Sequence, residues 1–185
     1  DGKLAADFED MASGGNHPVI GSTTLVNNVW YHAAATYDGT TWRLYLNGTL
    51  DAELAVGQTP RSDSIQHAGI ATAMTSTGVA AGYFDGVIDE VRVWNVARSG
   101  TAIAADMYSE LTSGTGLVGR WGLNENTGTT AGNSVGGGVN GTLVNGPAWV
   151  TGFPAGVPAA PTALTATPAT HTAVQLGWTD NAGNE

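Results

Sequence analysis

Asp89 is the residue whose setting most demands chemistry. In Val87-Ile88-Asp89-Glu90-Val91-Arg92-Val93, strand alternation puts it on one face with Val91 and Val93. A carboxylate among valines is costly to bury unpaired, so it needs a cation or several hydrogen-bond donors. Backbone N–H groups at a bulge would satisfy it, and so would an oxygen-coordinated cation. Glu90, Arg92 and Trp94 share the opposite face. They read as a surface Glu90–Arg92 ion pair, worth little, with Arg92 stacked on Trp94.

Arg43 and Tyr45 form a second constellation. In Trp42-Arg43-Leu44-Tyr45-Leu46, alternation points Trp42, Leu44 and Leu46 to one side and Arg43 and Tyr45 to the other. An outward ring can pack on sugar C–H groups while the guanidinium bonds hydroxyls. Ordinary sheet-surface residues show the same pattern. His17, His32, His67 and His171 lack metal-ligand spacing. Gly136-Gly137-Gly138 lies between strands rather than ahead of a helix, so it is no phosphate loop.

Strands must hold these side chains. Residues 29–48 contain two strand-length runs that lead into Asp38-Gly39 and Asn47-Gly48, dipeptides that tolerate the positive φ of hairpin turns. Residues 101–111 are the one expected helix: Ile103, Met107 and Leu111 recur every four positions, and Ser99 can cap the first turn. Residues 116–150 return to strands and glycine-rich turns, anchored by Leu117, Trp121, Leu123, Leu143 and Trp149. Residues 152–161 are a Pro/Gly/Ala linker, and 162–185 hold two further strands with Val174, Leu176 and Trp178 alternating inward. Trp42, Trp121, Trp149 and Trp178 read as core.

The chain of 185 residues has 27 glycines and no cysteine, and its formal charge is −10, from 6 basic against 16 acidic residues. Many short apolar runs between turns fit an all-β chain. The acidic surface repels phosphate backbones, which argues against nucleic acid as a partner. The carboxylate surplus suits calcium, a hard cation. No apolar run approaches a membrane span, so no membrane insertion is expected.

Trp30-Tyr31-His32, Ala35-Thr36-Tyr37-Asp38-Gly39 and Arg43-Leu44-Tyr45-Leu46-Asn47-Gly48 resemble the middle of a laminin-G-like domain. Residues 84–95 resemble its late strand. The resemblance implies a concanavalin A-like, antiparallel jelly-roll β-sandwich with one short helix over residues 1–151. Residues 116–125 and 140–147 resemble the family's opening, displaced here to the end, so 116–150 is expected to fold back and complete the sandwich. The family's early strands are missing from the start. Residues 162–185 resemble the first strands of a fibronectin type III domain, and the chain reads as cut at both ends.

In related sandwiches, including β-glucanases, the acid at the position of Asp89 resembles a ligand of a structural calcium. The resemblance makes Asn124 and Glu125 its partners. The pentraxin type of calcium site is disfavoured, because Ala71-Thr72-Ala73-Met74 offers no carboxylate. The paired acidic strand motif of β-glucanases is absent too, so no catalysis is expected. The expected function is a non-catalytic extracellular module, bacterial and at the cell surface, that binds glycans or surface proteins, with Arg43 and Tyr45 as ligand contacts. The alternatives are a self-assembling subunit of a filament or surface array, whose ligands are other copies, and an accessory domain of a secreted hydrolase.

Overall fold

The computed structural model describes residues 2–63, 67–75, 77–153, 162–170 and 173–179. The chain divides into two compact units, Asp1–Phe153 and Pro154–Glu185. The first carries eleven described strands and one short helix. They are β1 (Lys3–Ala6), β2 (Val19–Thr24), β3 (Ala33–Tyr37), β4 (Thr41–Leu46), β5 (Thr49–Ala55), β6 (Thr72–Met74), β7 (Ala80–Tyr83), β8 (Val91–Trp94), α1 (Gly100–Asp106), β9 (Leu117–Trp121), β10 (Thr130–Ala131) and β11 (Gly141–Thr142). Every ladder is antiparallel: β1–β2, β3–β4–β5, β6–β7, β8–β9 and β10–β11. In the second unit, β12 (Thr162–Thr170) pairs antiparallel with β13 (Ala173–Thr179). The side chains of Val174, Leu176 and Trp178, expected to alternate inward, lie outside the described residues. Among the described residues no helix is long and apolar enough to cross a membrane.

The β4–β5 hairpin follows from its turn residues. Asn47 at φ 49° and Gly48 at φ 74° both take the left-handed conformation that a tight two-residue turn requires. Leu46 then faces Thr49 across the ladder. At the other end Asp38 gathers the Thr40 and Thr41 amides at 2.9 and 2.8 Å and the Thr40 hydroxyl at 2.7 Å, fixing the turn from β3 into β4.

The described core centres on β4, where Leu44, Tyr45 and Leu46 are buried in succession and Leu44 is fully so. Three consecutive buried residues mean that both faces of the strand are covered. Tyr45 lies under α1, so close that a Cβ on Gly100 would come within 2.8 Å of its ring. The outward Tyr45 expected from alternation is therefore corrected, because the helix roofs the face that an isolated hairpin would leave to solvent. Val19, Ile103, Leu117 and Ala131 complete the buried apolar set.

Helix α1 is shorter than the expected 101–111. It starts as anticipated, with the Ser99 hydroxyl accepting from the Ala102 amide at 3.2 Å. It ends at Asp106, and two arginines donate to carbonyls within and just beyond it. Arg92 donates to the Asp106 carbonyl at 3.0 Å and to that of Ser109, and Arg98 donates to the Ala102 carbonyl at 3.2 Å. Arg98 rather than Arg92 lies over Trp94, 4.2 Å from the ring centroid.

Candidate functional site

A shallow depression of about 360 Å³ opens beside β9. Arg120 comes from β9, Gly122, Leu123, Asn124 and Glu125 from the loop after it, and Asn133 and Ser134 from the segment after β10. The loop turns sharply at Leu123, which adopts φ 57°, a conformation uncommon for a bulky side chain. Asn133 sews the two segments together. Its side-chain oxygen accepts from the Arg120 amide at 3.2 Å and the Val135 amide at 2.9 Å, and its own amide donates to Asn140 Oδ1 at 2.9 Å. Glu125 Oε1 accepts from the Gly132 amide at 2.7 Å. Its other oxygen has no partner among the described residues.

Below the depression lies a nearly buried charge network. Arg92 on β8 and Arg120 on β9 are directly opposite in the ladder, an arrangement that repels unless a counter-charge intervenes. Glu90 is that counter-charge. Its carboxylate accepts from Arg92 at 3.2 Å and from Arg120 Nε at 3.0 Å, with a further bond from Arg120 Nη2. Glu110 adds a contact to Arg120 at 3.4 Å. The side chains of Arg92, Arg120 and Glu90 are 8%, 6% and 16% exposed. Hydrogen bonding to Glu90 holds the Arg120 pKa above its ordinary value. The expected surface pair Glu90–Arg92 is thus corrected: both side chains are largely withdrawn from solvent.

The reason is local. Glu90 has φ 52°, which breaks the alternation, and the strand begins only at Val91. Val93, expected on an inward face with Asp89, is 48% exposed. Asp89 is held by backbone. One carboxylate oxygen accepts from the Glu90 amide at 2.9 Å and the other from the Phe153 amide at 2.8 Å. A Cβ on Gly152 would lie 2.3 Å from the carboxylate, so the glycine lets the chain close over it. Burial raises the Asp89 pKa above the usual carboxylate value.

Calcium takes six to eight oxygen ligands. Asn124 and Glu125 share the depression with the cationic Arg120, whereas Asp89 is not among its lining residues and both its oxygens engage backbone amides. Among the described residues, no group of three or more His, Cys, Asp or Glu side chains is placed to hold a metal ion. As arranged, Asp89, Asn124 and Glu125 do not fit a calcium cage.

Arg43 is held between Asp38 at 2.6 Å and Glu53 at 3.4 Å, and Tyr45 is buried beneath α1. The two do not form a joint surface. The aromatic residues that do gather come from distant segments. Phe8 lies 5.2 Å from His17, 4.9 Å from Tyr37 and 5.3 Å from Trp42, and Phe153 packs on Trp30 and Tyr108. Arg120, Asn133 and Ser134 were not singled out from the sequence. Arg120 offered one signal, a charge inside the apolar run Leu117–Trp121; nothing in the spacing connected it to Asn133.

A family model described as the concanavalin A-like lectin/glucanases superfamily matches residues 1–104. Two solved structures are similar. One is a candidate carbohydrate-binding protein from Bacteroides ovatus, 26% identical with a TM-score of 0.55, covering 77% of this chain and 43% of its own. The other is an S-layer domain-containing protein from Clostridium thermocellum, 24% identical with a TM-score of 0.41, covering 58% of this chain and 52% of its own. The chain therefore spans less than half of the first structure and about half of the second. No curated protein matches the sequence. The family match ends at residue 104, so the fibronectin type III resemblance of residues 162–185 is not supported.

Proposed function

Because the chain belongs to the concanavalin A-like lectin/glucanases superfamily, we propose that its first unit is a non-catalytic carbohydrate-binding module of a surface or secreted protein, with the sugar bound in the depression beside β9. The observation that carries this reading is the lining itself. The exposed Glu125 carboxylate, Asn124 amide and Ser134 hydroxyl line one solvent-open hollow, backed by Arg120 and Asn133, a donor and acceptor set suited to sugar hydroxyls. The likeness to a candidate carbohydrate-binding protein supports it at the level of fold and broad role. Glycoside hydrolysis ordinarily uses two carboxylates flanking the bond, and among the lining residues Glu125 is the one carboxylate.

A glycan array tests the proposal. Glu125→Gln keeps the acceptor for the Gly132 amide but removes the charge. It is expected to weaken binding about tenfold with an unchanged melting temperature. Ser134→Ala should weaken it less. Binding that survives a chelator agrees with direct side-chain recognition. No glycan bound by the wild type, or full binding by both variants, overturns the reading.

A further inference from the structure

We propose that Asn145 is a self-modifying position, where the side-chain amide condenses with the backbone of Gly146 and hydrolyses to aspartate and isoaspartate. The Gly146 nitrogen attacks Asn145 Cγ. The new N–Cγ bond closes a five-membered imide as the Cγ–Nδ2 bond breaks and ammonia leaves. Water then opens the ring. Addition at Cγ gives aspartate, and addition at the α-carbonyl gives isoaspartate, with the main chain rerouted through Cγ. Water is the one co-reactant.

The sequence holds three Asn-Gly pairs: Asn47-Gly48, Asn140-Gly141 and Asn145-Gly146. Composition alone makes them equivalent, because each glycine leaves its amide nitrogen unshielded by a side chain. The fold separates them. Attack requires the asparagine side chain to swing over the following nitrogen, so whatever anchors the side chain or the glycine opposes it.

Asn47 is anchored twice. Its side-chain oxygen accepts from the His32 amide at 2.9 Å, and its own amide donates to the His32 carbonyl at 2.8 Å. Gly48 is pressed against α1, where an added Cβ would meet Ala104 at 2.8 Å. Asn140 is anchored through its side-chain oxygen to the Asn133 amide at 2.9 Å, and Gly141 is locked opposite Ala131 in the β10–β11 ladder.

Asn145 has neither restraint. Its side-chain contact is Nδ2 donating to the Tyr83 hydroxyl at 3.4 Å, a long bond to a residue that is itself 66% exposed. Asn145 and Gly146 are both exposed. The Gly146 amide has no acceptor among the described residues, and no Cβ contact crowds it. Conversion would place a new carboxylate beside Tyr83 on an already acidic chain and, in the isoaspartate form, lengthen the turn backbone.

The test is peptide mapping by mass spectrometry of the whole chain held at mildly alkaline pH, folded and in denaturant. In the folded protein, amide-to-acid conversion at Asn145 should outrun Asn47 and Asn140 by about tenfold or more, the factor that losing fixed hydrogen bonds supports. In denaturant the three rates should converge. Both aspartate and isoaspartate should form at residue 145. Equal rates in the folded state, faster conversion at Asn47 or Asn140, or aspartate as the sole product would overturn the proposal.

Discussion

The β3–β4–β5 sheet and the β8–β9 ladder both carry arginine in mid-strand, yet they treat its charge in opposite ways. In the first, Arg43 stays at the surface between Asp38 and Glu53, its side chain 30% exposed, while the fully buried Leu44 occupies the interior. In the second, Arg92 and Arg120 go inside and Glu90 is drawn in between them. The difference lies in what the neighbours need. The end of α1 and the turn after it present carbonyls to β8, and Arg92 donates to that of Asp106 in the helix and that of Ser109 beyond it. A charge is drawn inside where it meets a carboxylate and also satisfies carbonyls at a helix end; Arg43, which meets carboxylates alone, stays at the surface. The two regions meet at His32, which is hydrogen-bonded to Asn47 and feels the charges of Arg92 and Arg98.

This contrast can be broken from either side. The largest effect is expected from Glu90→Ala, which leaves two facing arginines with Glu110, half-exposed and 3.4 Å from Arg120, as the remaining carboxylate. The loss of stability should be about 3–5 kcal/mol, measured by denaturant unfolding. Combining Glu90→Leu with Arg92→Met and Arg120→Met should recover much of that loss, because apolar replacement of a complete buried network is often near neutral. If Glu90→Ala costs no more than Arg43→Ala, the network does not hold the ladder.

Next comes Leu44→Ala, expected to cost about 2–5 kcal/mol by the same measurement, depending on how far the cavity collapses. A much smaller value would mean that the β4 core is not the densely packed region.

The smallest effect concerns the junction. Burial first, then the charges of Arg92 and Arg98, lowers the His32 pKa below 6.5, and its Nδ1 has no partner among the described residues. The unfolded chain therefore binds a proton that the folded chain resists. The His32 contribution is present above about pH 6.5 and is lost as pH falls through the lowered folded value. Thermal melts between about pH 7 and pH 5 should show a decline that His32→Asn flattens. An unchanged slope would place the protonation elsewhere.

Legibility followed the regularity of the backbone. The β4–β5 hairpin, the Ser99 cap and the all-β, antiparallel class were readable because turn dipeptides, capping hydroxyls and alternation are local signals. Alternation failed at Glu90, whose positive φ reset the phase of β8, and at Tyr45, which α1 covers on the face expected to meet solvent. The candidate depression was half legible. Asn124 and Glu125 were flagged as metal ligands; Arg120, Asn133 and Ser134 join them through pairings across residues 117–134 that no spacing rule encodes.

By itself the sequence determined the fold class, the hairpin turns, the start of the helix and the presence of three chemically similar Asn-Gly pairs. Each depends on contacts within a few residues, where covalent geometry limits the choices. The tertiary structure alone decided that Arg92 and Arg120 are inside, that Tyr45 is roofed by α1, that Asp89 is closed over by Gly152 and Phe153, and that Asn145 is the unanchored asparagine. Those outcomes depend on which distant segment supplies a donor, a counter-charge or a covering surface. That is a property of the packed chain, which no window of neighbouring residues contains.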